Sequence, residues 1–170
     1  DLLSSRGLDL AWCTYLGDDP QHLVEVLRSS MARDDLVFSF GGIGATPDDH
    51  TRAAAARAAR QPLERHPELA AIIETRFGED AYPQRILMSD LPRNARLIPN
   101  PVNQIAGFSV DHHHFVPGFP QMAWPMVEWV IDTHYPHLHS TPAEEWLLTV
   151  PNVGEGLLVN VMERLLETFP

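Results

Sequence analysis

The stretch that most constrains this chain is residues 38–51, FSFGGIGATPDDHT. An apolar run ends in Gly41, Gly42 and Gly44, and the adjacent acids Asp48 and Asp49 follow before an alanine-rich segment. This order reads as strand, tight loop, helix. Glycines let the backbone approach a ligand closely with its N–H groups turned inward. The start of the next helix favours an anion at the same place. The loop lacks the Gly-Lys-Ser/Thr of a P-loop and does not follow G-x-G-x-x-G. The purely structural alternative is a strand-to-helix turn capped by Asp48 or Asp49. One carboxylate would suffice for that cap, so the second is spare. It lies at the carboxyl end of a strand, where open α/β sheets place their sites. An acid beside a phosphate can hold a bridging divalent cation, or can orient a ligand hydroxyl. Asp18 and Asp19 follow the preceding apolar run in the same way, with an exposed capped turn as the alternative.

The surrounding pattern alternates strand and helix. LDLAWCTYL (8–16) reads as a buried strand, which makes Cys13 a buried small hydrophobe. Pro20 suits the first turn of a helix carrying Leu23, Val26, Leu27 and Met31. DLVFSF (35–40) is the strand before the loop. TRAAAARAAR and HPELAAIIETRF are the next two helices, and this order implies a parallel sheet covered by helices. After Pro92 short strands are expected near 95–98, 105–110 and 113–116. A helix from Pro120 then places Met122, Met126, Trp129 and Val130 on one face. Residues 137–142 read as a linker. Residues 143–170 read as a strand (EEWLLTVP) and an amphipathic helix, the start of a small α+β module.

Composition narrows the partners. The 170 residues carry 12 basic and 23 acidic side chains, a formal charge of −11, with no basic cluster to neutralise nucleic-acid phosphates. No apolar run has transmembrane length, and a cytoplasmic protein with one unpaired cysteine is expected. In DHHHFVPG, His112 and His114 alternate onto one side of a strand as a possible metal pair. No third ligand has matching spacing, so a solvated strand edge is the preferred reading. Trp124, Met126 and Trp129 read as core or subunit interface.

Four segments resemble one known family. GGIGATPDDHT is similar to the GG-x-G-x-T-x-DD-x-T signature of molybdopterin-binding domains, above all the amino-terminal domain of competence/damage-inducible (CinA-type) proteins. LGDDPQHLVEVL, LIPNPVNQIAGF and FVPGFPQM resemble its other motifs in the right order, covering Leu8 to Tyr135. The resemblance implies a three-layer α/β/α sandwich with a mostly parallel sheet over residues 1–136, and a homo-oligomer, trimer or dimer. It implies a small phosphorylated ligand, molybdopterin or a nucleotide, with no nucleic acid or membrane partner. Gly41, Gly42, Gly44 and Thr46 would line its phosphate, with Asp48, Thr51 and Asp18 nearby. Gly118 and Pro120 would form the opposite wall. Asp49 would match the catalytic acid of molybdopterin adenylyltransferases, and Asp19 or Asp18 their second acid. Asp49 and Asp48 would be the positions for a divalent metal, Mg or Co. Relatives of the competence type are also associated with metal-dependent cleavage of ADP-ribose-like pyrophosphates. Three readings therefore stand side by side: pterin or nucleotide binding, nucleotide pyrophosphatase, and a non-catalytic binding module. Two departures matter. The family's first strand, with its Gly-Asp-Glu segment, is expected to be missing, and PQM replaces Pro-x-Glu-Met.

Overall fold

The computed structural model describes residues 2–144, 147, 149 and 151–169. Its centre is a four-stranded mixed sheet, built from β1 (Val37–Phe40), β4 (Arg96–Ile98), β5 (Gly107–Val110) and β6 (His113–Val116) in the order β1-β6-β5-β4. β1 pairs with β6 in parallel, Val37 opposite His113 and Phe40 opposite Val116. β4, β5 and β6 run antiparallel to one another. A separate antiparallel pair joins β2 (Leu63–Arg65) to β3 (Asp90–Pro92).

Two apolar cores lie on opposite faces of the sheet, as in a three-layer α/β/α fold. The first joins Phe108, Val110 and Phe115 to α1 (Pro20–Met31), α2 (Thr51–Ala58) and α3 (Pro67–Phe77) through Leu27, Ala55 and Ile73. Ala54, Ala55 and Ala58 are buried, and their small side chains let α2 pack closely against α1. The second core joins Ile98 and Val116 to α4 (Pro120–His134) through Met126, Val130 and Ile131. Pro125 sits in the first turns of α4, where the missing N–H disrupts least. Helix starts follow the expected chemistry: Pro20, Pro67 and Pro120 each open a helix. Arg6 clamps the amino-terminal segment to α4 through paired bonds to Asp132 at 2.6 and 2.7 Å and one to Glu128 at 2.7 Å. Ser140 closes onto the same segment, donating its hydroxyl to the Gly7 carbonyl at 2.8 Å.

Several expectations are corrected. Residues 8–16 form no helix and pair with no strand among the described residues; Leu10 and Tyr15 are largely exposed and Cys13 is an exposed thiol. An apolar run cannot become a strand without a partner for its backbone groups. Trp12 is held instead by a 2.9 Å bond from Nε1 to Asp35. The histidine run is no solvated edge, because β6 lies between β1 and β5 and both His113 and His114 are buried. The strand expected over 144–151 lies outside the described residues, since Glu145, Trp146, Leu148 and Val150 are not among them. The expected amphipathic helix is present as α5 (Val159–Thr168), and its residues are exposed all round.

Candidate functional site

The glycine loop leaves β1 and turns sharply. Gly41 and Gly42 have φ of +88° and +68°, a region that side chains disfavour. The turn is pinned to the start of α2. Thr51 donates its N–H to the Gly42 carbonyl and its hydroxyl to the Gly41 carbonyl, both at 3.0 Å. A methyl group on Gly42 would sit 2.2 Å from that Thr51 hydroxyl. On the other side the backbone of Gly118 passes against Gly41, where an added Cβ at 118 would meet the Gly41 Cα at 3.4 Å. Pro120 follows as the first residue of α4. The turns 41–44 and 117–120 therefore face each other at the end of the parallel β1–β6 pair.

The acids behave differently from a pair of caps. Asp49 accepts the backbone N–H of Thr46 at 2.8 Å and the Thr46 hydroxyl at 2.6 Å. It folds over Gly44, where an added Cβ would come within 2.6 Å of its Oδ2. The N-cap of α2 is His50, with no side-chain capping bond, so neither Asp48 nor Asp49 caps that helix. Asp48 has its carboxyl held below the usual range, first by the neighbouring Thr46 hydroxyl and then by its own N–H. The short bond of that hydroxyl nevertheless goes to Asp49, so the two carboxylates compete for Thr46. Among the described residues no group accepts the N–H of Gly42, Ile43, Gly44 or Ala45. Thr46, expected to line a phosphate with Gly41, Gly42 and Gly44, has its N–H taken by Asp49. The free donors precede it.

Asp19 is the N-cap of α1, accepting from Gln21 at 2.8 Å and His22 at 3.1 Å. These two N–H bonds hold its carboxyl below the usual range. Asp18 is exposed beside it. For the divalent cation expected at Asp48 and Asp49, no group of three or more His, Cys, Asp or Glu is placed to hold a metal among the described residues, and Thr46 already bonds Oδ2 of Asp49.

Sequence reasoning missed Arg52. It is buried, and its guanidinium donates to the carbonyls of Gly44 at 2.8 Å, of Asp90 at 3.1 Å and of Leu87. Burial lowers its pKa, against the pull of the Asp90 and Asp49 charges. Its only sequence signal is position, as the second residue of α2. Two of the three carbonyls that fix it come from more than thirty residues away. Asn100 was also missed. It is buried, and it shapes the 100–105 turn by accepting from Val102 and Asn103 and donating to Ile105.

Fold and loop together define an α/β domain with a glycine turn between two helix starts. The comparisons name its kind. A family model described as "Probable molybdopterin binding domain" matches residues 1–139, and the chain belongs to that family. A CinA-like protein of Geotalea daltonii is 32% identical over 98% of this chain and 42% of its own length. Another, of Citrifermentans bemidjiense, is 33% identical over 86% of this chain and 37% of its own. The chain thus spans less than half the length of these curated relatives. The crystal structure of the CinA protein of Thermoplasma acidophilum, a protein of unknown function, superposes with a TM-score of 0.61. That match has 29% identity and covers 68% of this chain and 71% of the other. No helix among the described residues is long and apolar enough to cross a membrane.

Proposed function

We propose that this domain binds a phosphorylated pterin or a nucleotide, with the phosphate seated on the loop from Gly41 to Asp49. The observation that carries the reading is the run of N–H groups at Gly42, Ile43, Gly44 and Ala45, left without acceptors among the described residues beside the start of α2. Backbone N–H groups of this kind, in a turn with glycines at positive φ, are an anion receptor. Family membership supplies the ligand class. Asp49 then serves as the loop's brace and as an acceptor for ligand hydroxyls, while Gly118 and Pro120 bound the site opposite. In this reading Asp48 and Thr51 serve the ligand from the loop and the start of α2, and Asp18 and Asp19 from the turn that opens α1.

The test is an amide-resolved titration with inorganic phosphate and pyrophosphate. The N–H resonances of residues 42–45 should move saturably, with smaller changes elsewhere. If those amides stay still at millimolar pyrophosphate, the loop is a structural turn and the reading fails.

A further inference from the structure

The open N–H groups of the glycine loop are aimed by their own carbonyls. The peptides from 41 to 45 are trans, and across a trans peptide the C=O and the next residue's N–H point in opposite directions. Holding a carbonyl therefore turns the following N–H the other way. Thr51 donates its hydroxyl to the Gly41 carbonyl and its N–H to the Gly42 carbonyl, both at 3.0 Å. Arg52 donates from Nη2 to the Gly44 carbonyl at 2.8 Å. These three bonds hold carbonyls 41, 42 and 44 toward the first turn of α2. They leave the N–H groups of Gly42, Ile43 and Ala45 directed away from it. Nothing among the described residues donates to the Ile43 carbonyl, so the Gly44 N–H alone of the four is not held in this way. Arg52 is fixed from its far side. It is buried, and its Nη1 donates to the Asp90 carbonyl at 3.1 Å and to the Leu87 carbonyl. A planar fork held by two segments keeps its third bond in one direction, which a flexible ammonium does not.

We propose that Arg52 is a positioning residue for the anion loop: together with Thr51 it pins the loop's carbonyls toward α2, so that the N–H groups of Gly42, Ile43 and Ala45 are preset for an anion. Preset donors strengthen binding because no freedom is lost in aiming them, and Arg52 needs no contact with the ligand to do this. The inference rests on the phosphate-loop reading. It adds the residue that sets the loop's geometry, and it ties that geometry to carbonyls at 87 and 90.

The test repeats the amide-resolved pyrophosphate titration on the full chain carrying Arg52→Met, with a thermal melt to confirm folding. Methionine keeps an unbranched apolar stem and removes the fork. The Ala45 N–H should lose most of its shift at saturation, while Gly42 and Ile43 keep theirs. Affinity should fall about tenfold, the scale of one hydrogen bond to a charged group. Thr51→Val removes the hydroxyl but keeps the backbone N–H, so there Gly42 should lose its shift while Ile43 and Ala45 keep theirs. Should Arg52→Met fail to fold, Arg52→Lys takes its place, with the charge kept, the fork lost and the same loss expected at Ala45. An Ala45 shift that stays in proportion to those of Gly42 and Ile43 overturns the positioning role whatever the affinity does, because a lost charge weakens all the amides alike. That outcome leaves the loop reading intact. A parent protein whose amides at 42–45 do not move at all overturns the loop reading itself, and this inference with it.

Discussion

The carboxylate of Asp49 accepts both the N–H and the hydroxyl of Thr46, at 2.8 and 2.6 Å. A phosphate loop that ends in an acid is thus not a contradiction. The acid is first spent on the loop's own donors, and only its remaining lone pairs and its charge face a ligand. We predict that Asp49→Asn keeps the fold, because Asn still accepts one bond from Thr46. Removing a negative charge near the phosphate should strengthen inorganic phosphate binding by about three- to tenfold at low salt, the scale of one close charge in a high-dielectric setting. The same change should weaken any ligand whose hydroxyl needs a carboxylate acceptor. Phosphate affinity that is unchanged at low ionic strength would show that Asp49 lies too far from the anion to matter.

Gly44 and Gly42 should respond differently to alanine. At Gly44 the new Cβ meets the end of a flexible side chain, the Asp49 Oδ2 at 2.6 Å. Asp49 can swing away, at the cost of its bonds to Thr46, on the order of 1–2 kcal/mol. At Gly42 the obstacle is the Thr51 hydroxyl at 2.2 Å, and φ is +68°. That substitution strains the backbone and breaks the joint to α2, so it should cost about 3 kcal/mol or more. Denaturant unfolding of both variants checks the order. A double-mutant cycle adds a sharper test: Gly44→Ala should be nearly silent in an Asp49→Ala background.

Assembly is a third expectation. Trp124 on α4 is 66% exposed, Phe119 just before that helix is 61% exposed, and Leu166 on α5 and Phe169 just after it are each 72% exposed. So much large apolar surface is usually covered by another chain. We expect a dimer or trimer with Trp124 near its interface, and a shift toward monomer in Trp124→Glu. Light scattering that gives the 19.1 kDa monomer for the parent at micromolar concentration would count against this.

What was legible in the sequence divides along a physical line. The loop, the helices opened by Pro20, Pro67 and Pro120, and the layered α/β arrangement all depend on local chemistry: glycine freedom, proline geometry and apolar spacing. What was not legible depends on partners distant in the chain. Residues 8–16 have the composition of a strand, but pairing is a property of a neighbour. Arg52 looks like a solvated residue of an alanine-rich helix until Leu87 and Asp90 bring carbonyls to it. The β2–β3 pair joins residues 63–65 to 90–92, too short and too far apart for any periodicity to announce. The sequence leaves capping open as an alternative for Asp48 or Asp49, because it places them before a helix. The structure shows that Thr46, three residues upstream, competes successfully for Asp49.

The histidines give the last prediction. His113 and His114 lie on the central strand β6, at 1% and 0% exposure. His113 bonds Ser30 through Nε2 at 2.8 Å. His114 bonds Ser109 through Nδ1 at 2.7 Å and Tyr135 through Nε2 at 2.9 Å. Burial pushes His113 down to about 4, with the neighbouring His112 adding to the effect and Asp111 and Asp35 opposing it. Burial likewise pushes His114 down to about 3, helped by Arg96 and His134. Both are neutral in the folded protein and take up protons near pH 6.5 once unfolded. Below pH 6.5 the unfolded chain therefore binds more protons, and stability falls with pH. Their contribution is complete above pH 6.5 and is lost progressively down to pH 3–4. At about 1.4 kcal/mol per pH unit for each histidine, the loss by pH 5 should approach 2 kcal/mol apiece. Asp19 and Asp132, whose carboxyls are held low, add to the loss only at more acidic pH. Urea unfolding at pH 7.5, 6 and 5 would separate the two groups. A midpoint that falls steadily from pH 6.5 identifies the buried histidines. A midpoint flat to pH 5 that collapses only below it would mean that carboxylates alone control acid stability, and that His113 and His114 accept protons without leaving the fold.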